Sequence, residues 1–221
     1  MRVAVITANL GNFDQLGENV PQSVEYDFHR FTDDNFPPRF CSMTPRLQAR
    51  IPKCFAWQIV PDYEYYIWLD GSVILSNRDS VKWFLEQCDG VDIALFKHPE
   101  RTTVQEEADY LKKRIEKGCK YITPRYKNEL IDEQLSEIQS DGFKDMFLFE
   151  SRAFIYRNCL EMQRVLKEWW YHISRYHQVD QLSLPYVLWK SEIIFKCIPL
   201  NTKRNPYISY VRTATADANW K

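Results

Sequence analysis

The sequence predicts an α/β fold in a single domain, with a mostly parallel central sheet flanked by helices. Three observations carry this. Short β-favouring apolar runs alternate with longer stretches of helical periodicity, the pattern of strands joined by crossover helices. The first run, Val3-Ala4-Val5-Ile6, is apolar on both faces, as a strand inside a parallel sheet is. Finally, 221 residues with 45% hydrophobic and 15% aromatic content suffice for one sizeable core without covalent staples.

The first strand ends in the turn-prone Thr7-Ala8-Asn9-Leu10-Gly11-Asn12. Residues 25–31 read as a second strand, followed by the loop Thr32-Asp33-Asp34-Asn35. Residues 44–59 read as helix, with Pro52 opening a new turn, where a missing amide donor costs least. Tyr65-Tyr66-Ile67-Trp68-Leu69 is strongly β-favouring and stops at Asp70-Gly71-Ser72, with a short strand at residues 73–75. Asp79 is placed to cap a helix whose Val81, Phe84, Leu85 and Cys88 recur at helical spacing. Residues 92–96 form another strand. The charged, amphipathic stretch 103–139 reads as two helices broken near residues 121–124. Residues 147–156 are a strand, 160–173 an amphipathic helix, 181–189 a shorter helix and 193–197 a last strand. From residue 201 the periodicity stops, and an irregular tail is expected.

Composition excludes several functions. Lys plus Arg number 29 against 30 Asp plus Glu, so no basic surplus draws the chain to nucleic acid. The N-terminal apolar run is too short for a signal peptide, and no later stretch reaches the roughly 18 apolar residues of a membrane span. A cytoplasmic protein is expected. The six cysteines stand singly with no CxxC pair, and are expected to be reduced and mostly buried. A Walker loop, an HExxH motif and a GxSxG elbow are absent, which disfavours common ATPase, metalloprotease and hydrolase chemistries.

In such sheets ligands sit beyond the carboxyl ends of the strands, at a topological switch point. Ile67-Trp68-Leu69-Asp70-Gly71-Ser72 is the most informative segment there. A carboxylate directly after a buried strand projects into the crevice from a rigid support, and a carboxylate with a hydroxyl suits a hard divalent cation. Asp-Gly-Ser is equally a common strand-end turn.

Several short motifs occur together in order: Gly11-Asn12-Phe13-Asp14 after the first strand, Phe31-Thr32-Asp33-Asp34 after the second, then Pro52-Lys53 and Val60-Pro61-Asp62-Tyr63. Asp70-Gly71-Ser72, Lys97-His98-Pro99-Glu100-Arg101 and Glu107-Ala108 follow. With these the sequence resembles glycosyltransferases of the GT-A fold, and in particular the plant, bacterial and viral glycosyltransferase-like group with a D-G-S variant of the DXD motif. The likeness covers about residues 1–190. It implies one glycosyltransferase domain, with a nucleotide-binding half over about residues 1–100 and an acceptor half over about 101–200. It further implies an enzyme of hexosyltransferase type, moving sugar from a nucleoside diphosphate sugar, a UDP-sugar by resemblance, to a hydroxyl of a glycan or glycoconjugate. The implied cofactor is Mn2+ or Mg2+, held by Asp70 and Ser72. Ser72 stands where a stricter motif has a second carboxylate, so weak metal binding is expected without the diphosphate. The alternatives are a sugar nucleotidyltransferase, whose Gly-rich phosphate loop residues 9–15 lack, and a non-catalytic carbohydrate-binding domain of the same fold.

On this reading Thr7, Ala8, Asn9 and Gly11 offer a dock for base and ribose, and Asp33 accepts their hydrogen bonds, unless it serves only as a loop cap. Arg46, Arg50 and Lys53 are spaced to share one helical face and reach phosphates, unless they form a solvated basic face. His98, Arg101, Glu107 and Gln181 are candidate sugar contacts. The candidate catalytic carboxylates are Glu150 and Asp180. Asp180 at a helix start is expected to be kept ionised by the positive helix end, whereas Glu150, beside Phe149 and Phe147, is expected to be desolvated and the better base.

Overall fold

The computed structural model describes residues 1–39 and 41–211. The chain runs β1 (Val3–Asn9), β2 (Asp27–Thr32), α1 (Pro45–Gln48), α2 (Arg50–Ile59), β3 (Tyr65–Asp70), β4 (Val73–Leu75), α3 (Ser80–Gln87) and β5 (Ile93–Lys97). It continues through α4 (Val104–Glu116), α5 (Thr123–Tyr126), α6 (Ile131–Ser140), β6 (Phe149–Arg157), α7 (Leu160–Arg175), a 3-10 turn (Asp180–Leu182), α8 (Leu184–Lys190), β7 (Phe195–Ile198) and β8 (Ile208–Tyr210). Among the described residues six strands form the main sheet in the order β2-β1-β3-β6-β5-β7. Only β6 runs against the others, so the expected mostly parallel sheet is present.

Strand alternation divides the core between the two faces. Ala4, Ile6, Ala8, Tyr66, Trp68, Phe154 and Tyr156 join one cluster, covered by α2, α7 and α8. Val3, Val5, Ile67, Leu69 and Ile155 join the other, covered by α3 and the small β4–β8 sheet. The segment between β5 and β6 folds as α4, α5 and α6 over a third cluster of Val104, Leu111, Ile122, Leu135 and Val179.

Several expectations are corrected. The helix over 44–59 is two pieces, because the Thr44 side chain caps a separate first turn, and Phe55 leaves helical geometry inside α2. Asp79 stands at the N-cap of α3 without making a capping hydrogen bond. The Ser80 hydroxyl instead donates to the carbonyls of Asn77 and Tyr207. The charged stretch holds three helices rather than two, since Pro124 starts a separate short turn. The helix over 181–189 is a 3-10 turn followed by α8. The tail is not wholly irregular, because residues 208–210 pair antiparallel with β4; residues 212–221 lie outside the described residues. All six cysteines are free, as expected, but only Cys54 and Cys88 are buried. Among the described residues, no helix is long and apolar enough to cross a membrane.

Candidate active site

β1 has β2 on one side and the parallel β3 on the other, so the order in which strands are added reverses between β1 and β3, where a crevice opens beyond their carboxyl ends. Gly11, with φ 69°, and Asn12, with φ 51°, turn the chain sharply after β1. Asn9 then clasps the backbone of Asp14 from both sides: its Nδ2 donates to the Asp14 carbonyl at 2.7 Å and its Oδ1 accepts the Asp14 amide at 3.0 Å. This clamp sets the Asp14 carboxylate against the turn after β3. A Cβ added at Gly71 would lie 2.9 Å from Asp14 Oδ2 and 2.8 Å from the Ala8 carbonyl oxygen. Asp14 Oδ1 is buried with no hydrogen-bond partner, and burial together with the nearby Asp70 carboxylate raises the Asp14 pKa to about 6.

Asp70 ends β3 with its Oδ1 accepting from Trp68 Nε1 at 2.8 Å. Behind it lies a charge network. Lys53, whose side chain is 1% exposed, places Nζ 2.6 Å from Asp180 Oδ2 and 3.5 Å from Asp70 Oδ1. Arg50 approaches the same carboxylates, at 3.3 Å to Asp180 and 4.0 Å to Asp70. Asp180 also accepts from the Ser151 hydroxyl at 2.7 Å. Burial raises its pKa, but Arg50 and Lys53 outweigh burial and hold it at about 2. Asp180 is thus kept ionised by two cations. The helix-end explanation fails, because Asp180 opens a three-residue 3-10 turn and α8 begins only at Leu184.

β6 supplies the far wall. Its pairing with β5 jumps from Leu95 opposite Phe154 to Phe96 opposite Glu150, so Ser151, Arg152 and Ala153 form a bulge. Bulges re-aim side chains beside functional sites. Here the bulge turns Arg152 and Glu150 to the crevice. Glu150 is 1% exposed, and both oxygens are engaged: Arg152 Nε lies 3.1 Å from Oε1, and the Thr202 hydroxyl donates to Oε2. The expected apolar setting is therefore replaced by polar partners.

His98 braces the loop after β5. Its Nδ1 accepts the amides of Arg101 at 2.9 Å and Glu100 at 3.2 Å, and its Nε2 lies 3.3 Å from Arg101 Nη2 and 3.8 Å from Glu107 Oε2. Burial and Arg101 lower its pKa to about 4, so it is neutral near pH 7. The α4 capping box separates the adjacent glutamates: Glu106 pairs with Thr103 at the helix start, and the next position turns Glu107 inward to Arg101. Burial lifts the Glu107 pKa against the pull of Arg101.

These groups line two adjoining cavities. The smaller, of about 260 Å3, is walled by Ala8, Asn9, Asp14, Arg46, Arg50, Trp68, Asp70, Ser72, Tyr121, Arg125 and Arg152, among others. The larger, of about 470 Å3, takes in His98, Arg101, Glu107, Glu150, Asp180, Gln181 and Lys203, and shares Arg50, Tyr121, Tyr126 and Arg152 with the first. Most residues singled out in the sequence thus meet in one crevice. Four do not line it. Thr7 is buried within β1, and Gly11 lies on the outer turn. Asp33 is spent accepting the Gly11 amide at 3.0 and 3.1 Å, and Lys53 lies beneath the floor. Sequence reasoning missed Phe13, Asp14, Tyr121, Arg125, Tyr126 and Arg152 as lining residues. Phe13 and Asp14 stood within the quoted Gly-Asn-Phe-Asp motif, whereas Arg125 carried no local signal beyond the helix break beside it.

No group of three or more His, Cys, Asp or Glu residues arranged to hold a metal ion occurs among the described residues. A cation here would draw on Asp14, Asp70 and the Ser72 hydroxyl, with further ligands from substrate oxygens and water. That donor set suits Mg2+ or Mn2+, which retain waters and bind through one or two carboxylates plus phosphates. The orphaned Asp14 oxygen, and the close approach of the Gly71 turn to the Asp14 carboxylate that a Cβ would block, fit it.

The profile of the TOD1/MUCI70 glycosyltransferase-like domain family matches residues 41–203. No curated protein matches at a significant level. Among solved structures, the chain is similar to a glycosyltransferase involved in the glycosylation of the major capsid of PBCV-1. The TM-score is 0.54 at 9% identity, over 99% of this chain and 98% of that one. It is also similar to the WbbM bifunctional glycosyltransferase, with a TM-score of 0.47 at 10% identity over 90% of this chain and 39% of that one. At these identities the first likeness speaks to the fold.

Proposed function

The chain belongs to the TOD1/MUCI70 glycosyltransferase-like domain family, and we propose that it moves a hexose from a nucleoside diphosphate sugar, with uridine as the base, to a hydroxyl of a glycan or glycoconjugate. The observation that carries this reading is the pairing of two carboxylates, Asp14 and Asp70, from neighbouring strand ends at one cavity that opens into a larger one. The nucleotide occupies the smaller cavity, against Ala8, Asn9, Leu10 and Phe13. The sugar and acceptor occupy the larger. Residues 1–100 therefore supply most of the donor site, closed by Tyr121, Arg125 and Arg152 from the later part of the chain.

Asp14, Asp70 and Ser72 hold Mn2+ or Mg2+ in this reading. Bound there, the cation stabilises the charge that develops on the leaving diphosphate. Arg50 and Lys53, tied to Asp180, fix the orientation of Asp70 from behind. His98, neutral and braced, presents Nε2 on the crevice rim, and with Arg101, Glu107 and Gln181 it offers the mixed donors and acceptors that sugar hydroxyls require. Glu150 is the base that takes the acceptor proton. Asp180 suits that role less, because a carboxylate held at a pKa of about 2 is a weak proton acceptor.

A thermal-shift panel of nucleotide sugars with and without Mn2+ tests the reading. A true donor raises the melting temperature by mass action, and does so only with metal. Failure of every nucleotide sugar to shift the transition would sink the proposal. Shifts by guanosine or cytidine sugars alone would overturn only the base.

A further inference from the structure

The cations expected to bind phosphate are already committed elsewhere. Arg46, Arg50, Arg125 and Arg152 line the smaller cavity. Arg50 is paired with Asp180 and Asp70, Arg152 with Glu150, and Arg46 with Glu129 at 3.7 Å. Lys53 is enclosed between Asp180 and Asp70. Arg125 alone of the four cavity arginines has no carboxylate partner among the described residues. Its Nη1 donates to the Tyr121 carbonyl at 2.7 Å, which uses one of its five N–H groups.

Arg125 is also held in place. Its guanidinium lies 3.8 Å from the Tyr121 ring centroid and 5.2 Å from that of Phe13, so a residue of α5 reaches across to the turn after β1. Arg46 Nη2 donates to the Arg125 carbonyl at 2.9 Å, and the Arg46 guanidinium rests 4.6 Å from the Tyr126 ring centroid. Arg46 thus secures the backbone that carries Arg125. A stacked guanidinium with a free edge is suited to bidentate recognition of a phosphate. Charge balance asks for such a group: Arg50 and Lys53 offset Asp180 and Asp70, so a divalent cation beside Asp14 keeps one positive charge, which leaves part of the diphosphate's charge to the protein.

Resting on the donor reading above, we infer that Arg125 is the diphosphate-binding cation of the crevice, with Arg46, Tyr121 and Phe13 as its positioning residues. The segment from residue 121 to 126 then belongs to the donor site.

Calorimetric titrations in Mn2+ with inorganic pyrophosphate, uridine diphosphate and uridine, on the unaltered chain, Arg125→Ala and Arg125→Lys, test this. Loss of a charge-assisted phosphate contact should weaken pyrophosphate and uridine diphosphate by about 10- to 100-fold in Arg125→Ala, and leave uridine within about twofold. Arg125→Lys should fall between, because it keeps the charge and loses the fork. Equal affinity of the unaltered chain and Arg125→Ala for uridine diphosphate overturns the inference while leaving the donor reading standing. So does a complete absence of pyrophosphate binding to the unaltered chain. Weakened pyrophosphate binding in Arg125→Ala, with uridine diphosphate no tighter than pyrophosphate on the unaltered chain, upholds Arg125 and instead removes the nucleotide from the donor reading.

Discussion

At the scale of single residues, the crevice is governed by which charges have partners. Asp14 and Asp70 face each other's field, and Asp14 keeps a buried oxygen without a hydrogen bond. Asp70→Asn and Asp14→Asn should each weaken manganese binding by at least about tenfold while the chain stays folded, read by calorimetry and circular dichroism. Ser72→Ala should have a milder effect, because water can replace a hydroxyl ligand. The two candidate catalytic carboxylates separate by a different measurement. Glu150→Gln should abolish turnover at unchanged donor affinity, and normal turnover would remove Glu150 from the base role. Asp180→Asn should instead lower stability by about 3–5 kcal/mol in denaturant titration, since it leaves the buried Lys53 and Arg50 to share the more distant Asp70 as their remaining carboxylate.

At the scale of elements, the strand ends do the positioning. The turn after β3 passes so close to β1 that only hydrogen fits at position 71. Gly71→Ala should therefore push the turn off the Ala8 carbonyl and Asp14, lowering both the melting temperature and manganese affinity. A variant with unchanged affinity would show that this close approach plays no part in cation binding. In β6 the bulge at residues 151–153 has a comparable role, since continuous pairing with β5 would withdraw Glu150, Ser151 and Arg152 from their present directions. The β4–β8 pair, with Trp83 stacked on Tyr207 at 4.5 Å, ties the segment after β7 back beneath the turn at Ser72.

Across the whole molecule, buried histidines couple stability to pH. Burial and neighbouring cations lower the pKa of His98 to about 4 and of His177 to about 3. Their unfolded values lie near 6.5. At these two sites the folded state binds fewer protons than the unfolded chain below pH 6.5, so their contribution to stability is full above that value and is lost as pH drops toward 4 and 3. Melting temperatures recorded from pH 7 to 4 should decline, and His177→Gln should flatten part of the decline. A profile identical to that of the unaltered chain would mean that His177 is not held neutral by the fold.

Much of this architecture was legible in the sequence. Alternation of apolar strands with amphipathic helices dictates layers, and apolar patterning is a local property that survives in any correct fold. The strand-end carboxylate Asp70 was legible for the same reason, since a polar residue closing a buried strand has few places to go. What the sequence could not decide was which charges meet. Arg50 and Lys53 carry the same local signal whether they face phosphate or Asp180, and a sequence separation of 127 from Lys53 to Asp180 hides the partner. Arg125 sits in a short turn with no periodic signature, and it reaches the crevice only because Arg46 and the turn after β1 hold it there. Strand placement follows from burial, which each residue expresses through its own side chain. Charge pairing and the reach of Arg125 follow from distances between segments far apart in the chain, and those exist only once the sheet has closed.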